Sequence, residues 1–125
     1  MISFDVDDIA PVGKGRPRFT KRGHTYTPNK TAAFQKAFQA LAKTHAPKNP
    51  LEGSLECEIW FIFKKPKRPV NRYPRGDIDN YAKAILDSLN GIMYKDDSQI
   101  CTLKVTKRYS DHDRIHVTIC TQVYV

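Results

Sequence analysis

The chain has no long apolar run, no cysteine pair and few acids, and each scarcity narrows what it can be. No stretch reaches the roughly 18 consecutive apolar residues that a membrane-crossing helix needs. The N-terminus lacks the basic-then-apolar pattern of a secretory leader. A membrane role is therefore not expected, and a cytoplasmic location is. The three cysteines, Cys57, Cys101 and Cys120, are odd in number and widely spaced, with no C-x-x-C pair. That spacing suggests neither a zinc site nor a disulfide framework. Each lies in an apolar alternating run, where a reduced thiol is expected to serve as a small hydrophobe. His24, His45, His112 and His116 show no metal-ligand spacing; His24 is a candidate phosphate contact, and the others read as surface or sheet residues.

Acids number 13 against 21 Lys and Arg, leaving a formal net charge of +8. That balance points to a polyanionic partner, with nucleic acid ahead of membrane. Between Ile9 and Leu51 there are nine Lys or Arg and no acid. Six more basic residues, Lys64, Lys65, Lys67, Arg68, Arg72 and Arg75, fill the proline-punctuated loop "KKPKRPVNRYPRG" at 64–76. Clustering of this kind suits neutralisation of phosphates along a nucleic acid. Candidate contacts are Lys14, Arg16, Arg18, Lys21 and Arg22 in the first segment and Lys67, Arg68, Arg72 and Arg75 in the second. For any single lysine here a solvated surface is the better explanation of the charge. Lys14, Arg16 and Arg18 stand out because Gly13, Gly15 and Pro17 expose the backbone between them. Phe19, Tyr26 and Tyr73 lie within the same loops, either to stack on exposed bases or to anchor the loops.

What is there is an apolar fraction of 40% in a chain of 125 residues, enough for a core without staples, and no repeat or composition shift to divide it. Residues 1–125 read as one domain. Residues 2–9 alternate as a strand, and 11–27 form a long Gly, Pro and basic segment in which "KRGHTY" suits a small hairpin around Gly23. Thr27–Pro28 starts a helix whose stripe is Phe34, Ala37, Phe38, Leu41 and Ala42, ended by Pro47 and Pro50. A strand at 54–63 puts Leu55, Cys57, Ile59, Phe61 and Phe63 on one face and Trp60 and Ile62 on the other. A second helix at 78–89 carries Ile78, Ala82, Ile85, Leu86 and Leu89, with Asn90–Gly91 as its stop. Strands at 99–109 and 114–124 flank "SDHD", which reads as a hairpin turn. The order β-α-β-α-β-β predicts an α+β fold, a mixed β-sheet with two helices, one sheet face being left for a second subunit.

Five of the 13 acids gather in one part of the sequence. "GDIDNYAKAILDSLN" at 76–90 and the pair Asp96–Asp97 concentrate them. Gathered like charges repel unless compensated, and a divalent cation is the usual compensator. Asp77 and Asp79 point some 200° apart if both are helical, but share a side if Asp77 is an extended N-cap. Asp79 and Lys83 stand at i and i+4. Converging carboxylates are the hard oxygen donors Mg²⁺ takes, one or two at a time, with waters and phosphate oxygens completing the shell. Such an ion lowers the pKa of water and polarises a phosphate, and Lys83 is then placed to steady developing charge. Blander roles stand beside these. Asp77 as a cap contributes about 1 kcal/mol, Asp79–Lys83 as a surface pair about 0.2–0.5 kcal/mol, and Asp96–Asp97 makes a solvated turn.

"DIDNYAKAILDSLNG" followed by "YKDDSQI" resembles the signature of RusA-type Holliday junction resolvases, D-x-D-N-x-x-K-x-x-x-D-x-L and then an aspartate pair before a strand. The match falls at Asp77, Asp79, Asn80, Lys83, Asp87, Leu89, Asp96 and Asp97. The segment "PVGKGRPRFTKRGHTYTPNKT" resembles the early part of Gram-positive and phage members and differs from the enterobacterial branch. The resemblance implies Asp77, Asp79 and Asp97 as metal-binding aspartates, Asp96 as a secondary ligand and Lys83 as the catalytic lysine. Asp87 is expected to hold Lys83 by a salt bridge rather than to bind metal. The resemblance further implies a RusA-like fold, Mg²⁺ as cofactor with Mn²⁺ as substitute, no small-molecule cofactor, and a homodimer that cuts four-way DNA junctions in a bacterial cytoplasm, host- or phage-encoded. Two alternatives stay open: a nuclease for flaps or forks, and a non-catalytic basic nucleic-acid-binding module.

Overall fold

Alternation at the N-terminus becomes β1 (Ile2–Asp7), which buries Phe4 and Val6 and exposes Ser3, Asp5 and Asp7. The structure is a computed structural model that describes residues 1–14, 18–19, 25–26 and 29–122, the two short pieces by backbone alone. Those pieces are β2 (Arg18–Phe19) and β3 (Thr25–Tyr26), paired antiparallel as the hairpin expected in the basic segment. The helix start expected at Thr27–Pro28 lies outside the described residues. There follow α1 (Asn29–Ala42), β4 (Leu55–Lys64), α2 (Ile78–Ser88), β5 (Ile100–Ser110) and β6 (Arg114–Thr121). Apart from the hairpin, the order is β-α-β-α-β-β and the fold is α+β. No helix among the described residues is long and apolar enough to cross a membrane.

The four long strands form one mixed sheet in the order β1-β6-β4-β5. β4 and β5 run parallel, joined by the crossover through α2; β6 is antiparallel to both β1 and β4. This corrects the hairpin expected at "SDHD", because β5 and β6 flank β4 and do not pair with each other. Residues 111–113 instead step across the end of β4, where Asp113 accepts from the Lys64 N–H through Oδ1 at 2.9 Å and from the Asp8 N–H through its carbonyl at 2.9 Å. Two strand spacings are roughly 9.6 Å, within reach of three extended residues.

Both helices cover one sheet face. Cys57, Ile59, Phe61, Val117 and Ile119 are buried there against Phe34, Phe38, Ala84 and Ile85. The α1 stripe is narrower than its sequence suggested: Thr31, Phe34, Phe38 and Ala42 are buried, whereas Ala37 and Leu41 face outward. The side of α1 beside that stripe packs on α2 through hydrogen bonds from Gln35 Nε2 to the Ala84 carbonyl (3.2 Å) and from Gln39 Nε2 to the Ser88 carbonyl (3.1 Å). Ala82, Ala84 and Ser88 are buried in α2, while Ile78 in its first turn is exposed. The opposite sheet face carries Trp60, Ile62, Arg108, Arg114 and His116, and neither helix covers it. Of the cysteines, Cys57 is buried as expected and burial pushes its thiol up to about 12. Cys101 is exposed, because it lies on the outer strand β5 beyond the helices.

Candidate active site

Asp77 precedes α2 with extended backbone (φ −87°, ψ 127°) and its side chain makes no capping hydrogen bond. Its carbonyl, not its carboxylate, serves the helix, accepting from the N–H groups of Asn80 (3.1 Å) and Tyr81 (3.2 Å). Capping therefore does not account for the carboxylate. Asp79, one residue into α2, is exposed, and the Asp79–Lys83 pair is absent. Lys83 turns instead to Asp87, with Nζ 3.4 Å from Oδ1. Among the described residues neither the Asp77 nor the Asp79 carboxylate has a hydrogen-bond or ion-pair partner.

The residues leading into Asp77 are tightly held. Lys107 Nζ donates to the carbonyls of Pro74 (2.9 Å) and Gly76 (2.6 Å), and Tyr81 Oη donates to the carbonyl between them, that of Arg75 (2.8 Å). Gly76 has φ +93°, and a Cβ there would lie 2.8 Å from Tyr81 Cζ, so glycine is needed on both counts. Lys107 also lies over the Tyr73 ring, 5.8 Å from its centroid. Sequence reasoning missed this clamp. Its signal was the alternation Val105–Lys107–Tyr109, which puts a lysine on the core-side face of a strand, where an ammonium requires acceptors.

A second cluster lies at the far end of α2. Asp87 Oδ2 is 3.0 Å from Lys14 Nζ, with both side chains about four-fifths buried (20% and 22% exposed). Lys14 is fixed there by its backbone, whose N–H donates to the Asn80 carbonyl at 2.9 Å, and by Thr31 Oγ1 donating to the neighbouring Gly13 carbonyl at 3.2 Å. Burial alone would raise the Asp87 carboxyl, but the Lys14 hydrogen bond and charge, the Lys83 charge and a hydrogen bond to Asp97 hold it below the usual carboxylate range. Asp97 goes the other way. Burial first, then the hydrogen bond and charge of Asp87 and the charge of Asp96, push it up, with Lys83 countering in part. The two facing carboxyls are thus pushed apart, Asp87 down by its ammonium partners and Asp97 up by burial and by Asp87.

Asp96 is occupied structurally. Its Oδ2 accepts from the Ser98 N–H (3.1 Å), while Gln99 Oε1 accepts from the Asp96 N–H (3.1 Å), a reciprocal cap on the 3₁₀ turn Asp97–Gln99. The Ser98 side chain and backbone hold the Asp96 carboxyl below its usual range. Gln99 Nε2 ties that turn to the carbonyls of Leu51 and Gly53, both at 3.0 Å. Tyr94 Oη, donating to the Leu86 carbonyl at 2.7 Å, fixes the same connection against α2.

The structure thus brings together Asp87, Asp97, Lys83 and Lys14, and sets Asp77 and Asp79 at the other end of the helix, on the order of 12–15 Å of axis from Asp87. Among the described residues no three His, Cys, Asp or Glu side chains lie within reach of one metal ion. The donors are nonetheless all carboxylates. They suit a hard cation held by one or two of them with water and phosphate oxygens filling its shell, not a closed protein cage. Of the sequence-predicted basic contacts, Lys14 faces Asp87, and Lys67, Arg68, Arg72 and Arg75 are exposed on the loop before Asp77. Arg16, Lys21, Arg22, His24 and the Arg18 side chain lie outside the described residues.

Comparison with known proteins agrees with the motif. The family model described as endodeoxyribonuclease RusA matches residues 8–120. The chain is also similar to an uncharacterized protein, YqaN, of Bacillus subtilis (strain 168), at 33% identity over 126 residues, covering 87% of this chain and 89% of that protein.

Proposed function

The chain belongs to the endodeoxyribonuclease RusA family, and on that premise we propose that it is a Mg²⁺-dependent endodeoxyribonuclease that resolves four-way DNA junctions by paired phosphodiester hydrolysis. One observation carries the reading. In a protein of net charge +8, Asp77 and Asp79 present carboxylates that the fold itself does not use, directly after an exposed basic loop.

Asp77 and Asp79 are the residues that would hold the cation, with Mn²⁺ as a substitute; Asp97, grouped with Asp87 at the far end, would have to move to join them, and Asp96 would contribute at most the oxygen not engaged in its cap. When bound, the ion would polarise the phosphate and make water acidic enough to attack at neutral pH. The chain's own groups do the rest. Lys67, Arg68, Arg72 and Arg75 neutralise phosphates and fix the strand. The Lys107 and Tyr81 clamp keeps Asp77 extended. Lys83, 61% exposed and loosely paired with Asp87, is free to turn toward charge growing on the phosphorus oxygens or the leaving oxygen. Asp87 gives that ammonium a resting partner.

Symmetric resolution requires two sites, so the working unit is a homodimer in the bacterial cytoplasm. The sheet face left bare by the helices, with Trp60 and Ile62 at its centre, is the surface for the second copy. The test is cleavage of a synthetic four-way junction with and without Mg²⁺. Paired symmetric nicks, lost in Asp77→Asn with binding retained, support the reading. Cutting confined to flaps or forks reassigns the substrate, and metal-independent binding without cutting reduces the protein to a binding module.

A further inference from the structure

Beneath the proline-rich loop lies a cavity of about 560 Å³, within the range of small-ligand sites. Its lining includes Lys65, Val70, Asn71, Arg72, Tyr109 and Ser110. Three other cavities among the described residues each contain a carboxylate: Asp5 in one, Glu56 and Glu58 in the next, Asp87 in the third. This one has two cations and no acid, so its field selects an anionic ligand.

Its chemistry is also amphipathic. Val70, in its lining, is 74% exposed, a large apolar group standing outward on a largely basic loop. Tyr109 offers an aromatic face, and Asn71 offers both donor and acceptor, as the edge of a base requires. A phosphate with a flat, partly apolar ring attached satisfies all of these at once. A base still inside a duplex stack cannot enter. We propose that this cavity receives one unpaired nucleotide of the DNA strand beside the scissile phosphate, its base against Tyr109 and Val70 and its phosphate between Lys65 and Arg72. The position beside the cut rests on the nuclease reading; the binding chemistry does not.

Placement supports the assignment. Lys107, which holds the carbonyl of Gly76 next to Asp77, is two residues before Tyr109 on the same face of β5. That separation is roughly 7 Å of strand. The cavity and the Asp77 carboxylate thus lie at two ends of one clamped loop, and a nucleotide seated in the first sets which phosphate reaches the second.

The experiment compares the wild-type protein with Val70→Trp, which fills the cavity from an exposed position and so leaves folding intact, as a thermal melt will verify. A fluorescein-labelled single-stranded tetranucleotide, the same strand without its bases, and a duplex are titrated by anisotropy, and a four-way junction is assayed for cleavage. Base removal is expected to weaken wild-type binding about 10-fold, the worth of one stacked base. Val70→Trp should already be weakened to that level and lose little more when the bases go, while duplex binding changes less than about 2-fold. Equal base dependence in both proteins, or none in the wild type, overturns the proposal. If the junction is cut but the contrast is missing, the pocket assignment alone fails. If the contrast holds but no branched DNA is cut, the nuclease reading alone fails.

Discussion

Replacing Lys107 by methionine removes the ammonium and keeps the stem, so it isolates the clamp on the loop. Two charge-assisted hydrogen bonds are lost, to the Pro74 and Gly76 carbonyls, together with the contact over Tyr73. A hydrogen bond to a charged group contributes about 1.5–3 kcal/mol, and an exposed cation–π contact about 0.5–1 kcal/mol. Gly76 is exposed and its carbonyl regains water, so that bond counts for little, and the Pro74 bond at its lower end with the Tyr73 contact leaves roughly 2–3 kcal/mol in total. Most of that energy restrains one loop, so the loss should appear as local opening. The opening equilibrium of 65–77 should rise roughly 30- to 150-fold, at about 1.4 kcal/mol per decade. Native-state hydrogen exchange reads this directly: amides near Tyr81 lose protection, while those of β4 and β6, held by the core, change far less.

The consequence for chemistry separates positioning from binding. If the clamp only orients Asp77, Lys107→Met lowers kcat with KM for the junction nearly unchanged, and Lys107→Arg recovers part of the rate because it still donates to carbonyls. Unchanged protection of the loop in Lys107→Met would refute the geometry. A fall in junction affinity with kcat intact would refute the positioning role and make Lys107 a phosphate contact.

Gly76→Ala meets both a positive φ and the Tyr81 ring, so we expect at least about 1–2 kcal/mol of destabilisation in thermal melts and loss of cleavage; a neutral result would mean the loop is not held as described. Asp97→Asn should separate stability from function. The raised Asp97 pKa means that its charged form is disfavoured on folding, a cost present above its folded pKa and absent well below it. The amide should therefore leave stability at pH 7 equal or slightly higher by urea denaturation, yet abolish Mg²⁺-dependent cutting. Lys14→Met removes the main partner of Asp87, whose folded pKa is depressed, so that carboxylate's stabilisation is present above its unfolded pKa and lost as pH falls through the folded one. The variant should lose about 1 kcal/mol at pH 7 and match the wild type near pH 2. The dimer assigned to the bare sheet face predicts that Trp60→Glu sediments as a monomer; a dimer of unchanged strength would move the interface elsewhere.

Much of the fold was legible because it is local. Alternation at Phe4 and Val6, and at Leu55 through Phe63, is a period that only a strand satisfies, and it appears at the expected residues. What failed was the pairing of strands. "SDHD" has the composition of a hairpin turn, and nothing within those four residues reveals that β4 will lie between the strands they join. That outcome is decided by the parallel β4–β5 crossover through α2, a long-range contact whose partners are about 45 residues apart in sequence, as Leu55 and Ile100 are. The α1 stripe failed more mildly and for the same reason: whether Leu41 is covered depends on what packs beside the helix, not on its helical spacing.

At the site, residue types were legible and their partners were not. The motif marks Asp77, Asp79, Lys83, Asp87 and Asp97, yet it cannot say which carboxylate meets which ammonium. The helix answers part of this: Lys83 can reach either Asp79 or Asp87 four residues away, and it takes Asp87, where Lys14 and Asp97 already gather charge. That choice leaves Asp77 and Asp79 unneutralised at the end of α2 nearest the basic loop. It also means that two ammoniums, Lys14 and Lys83, already offset the carboxylates at the far end, whereas among the described residues no side chain pairs with those at the near end. On the proposed function, a strand of DNA brings more negative charge to the near end, and a cation arriving with it or before it would offset that charge. If a cation arrives with the strand and draws Asp97 away from Asp87, Lys83 can leave its loose pairing with Asp87 and turn to the phosphate. Because burial and Asp87 raise the Asp97 carboxyl, cation binding there should displace a proton at a pH low enough for Asp97 to hold one, measured by calorimetry in acidic buffers of different ionisation enthalpy; its absence at every acidic pH would show that Asp97 stays with Asp87 and that the near end works alone.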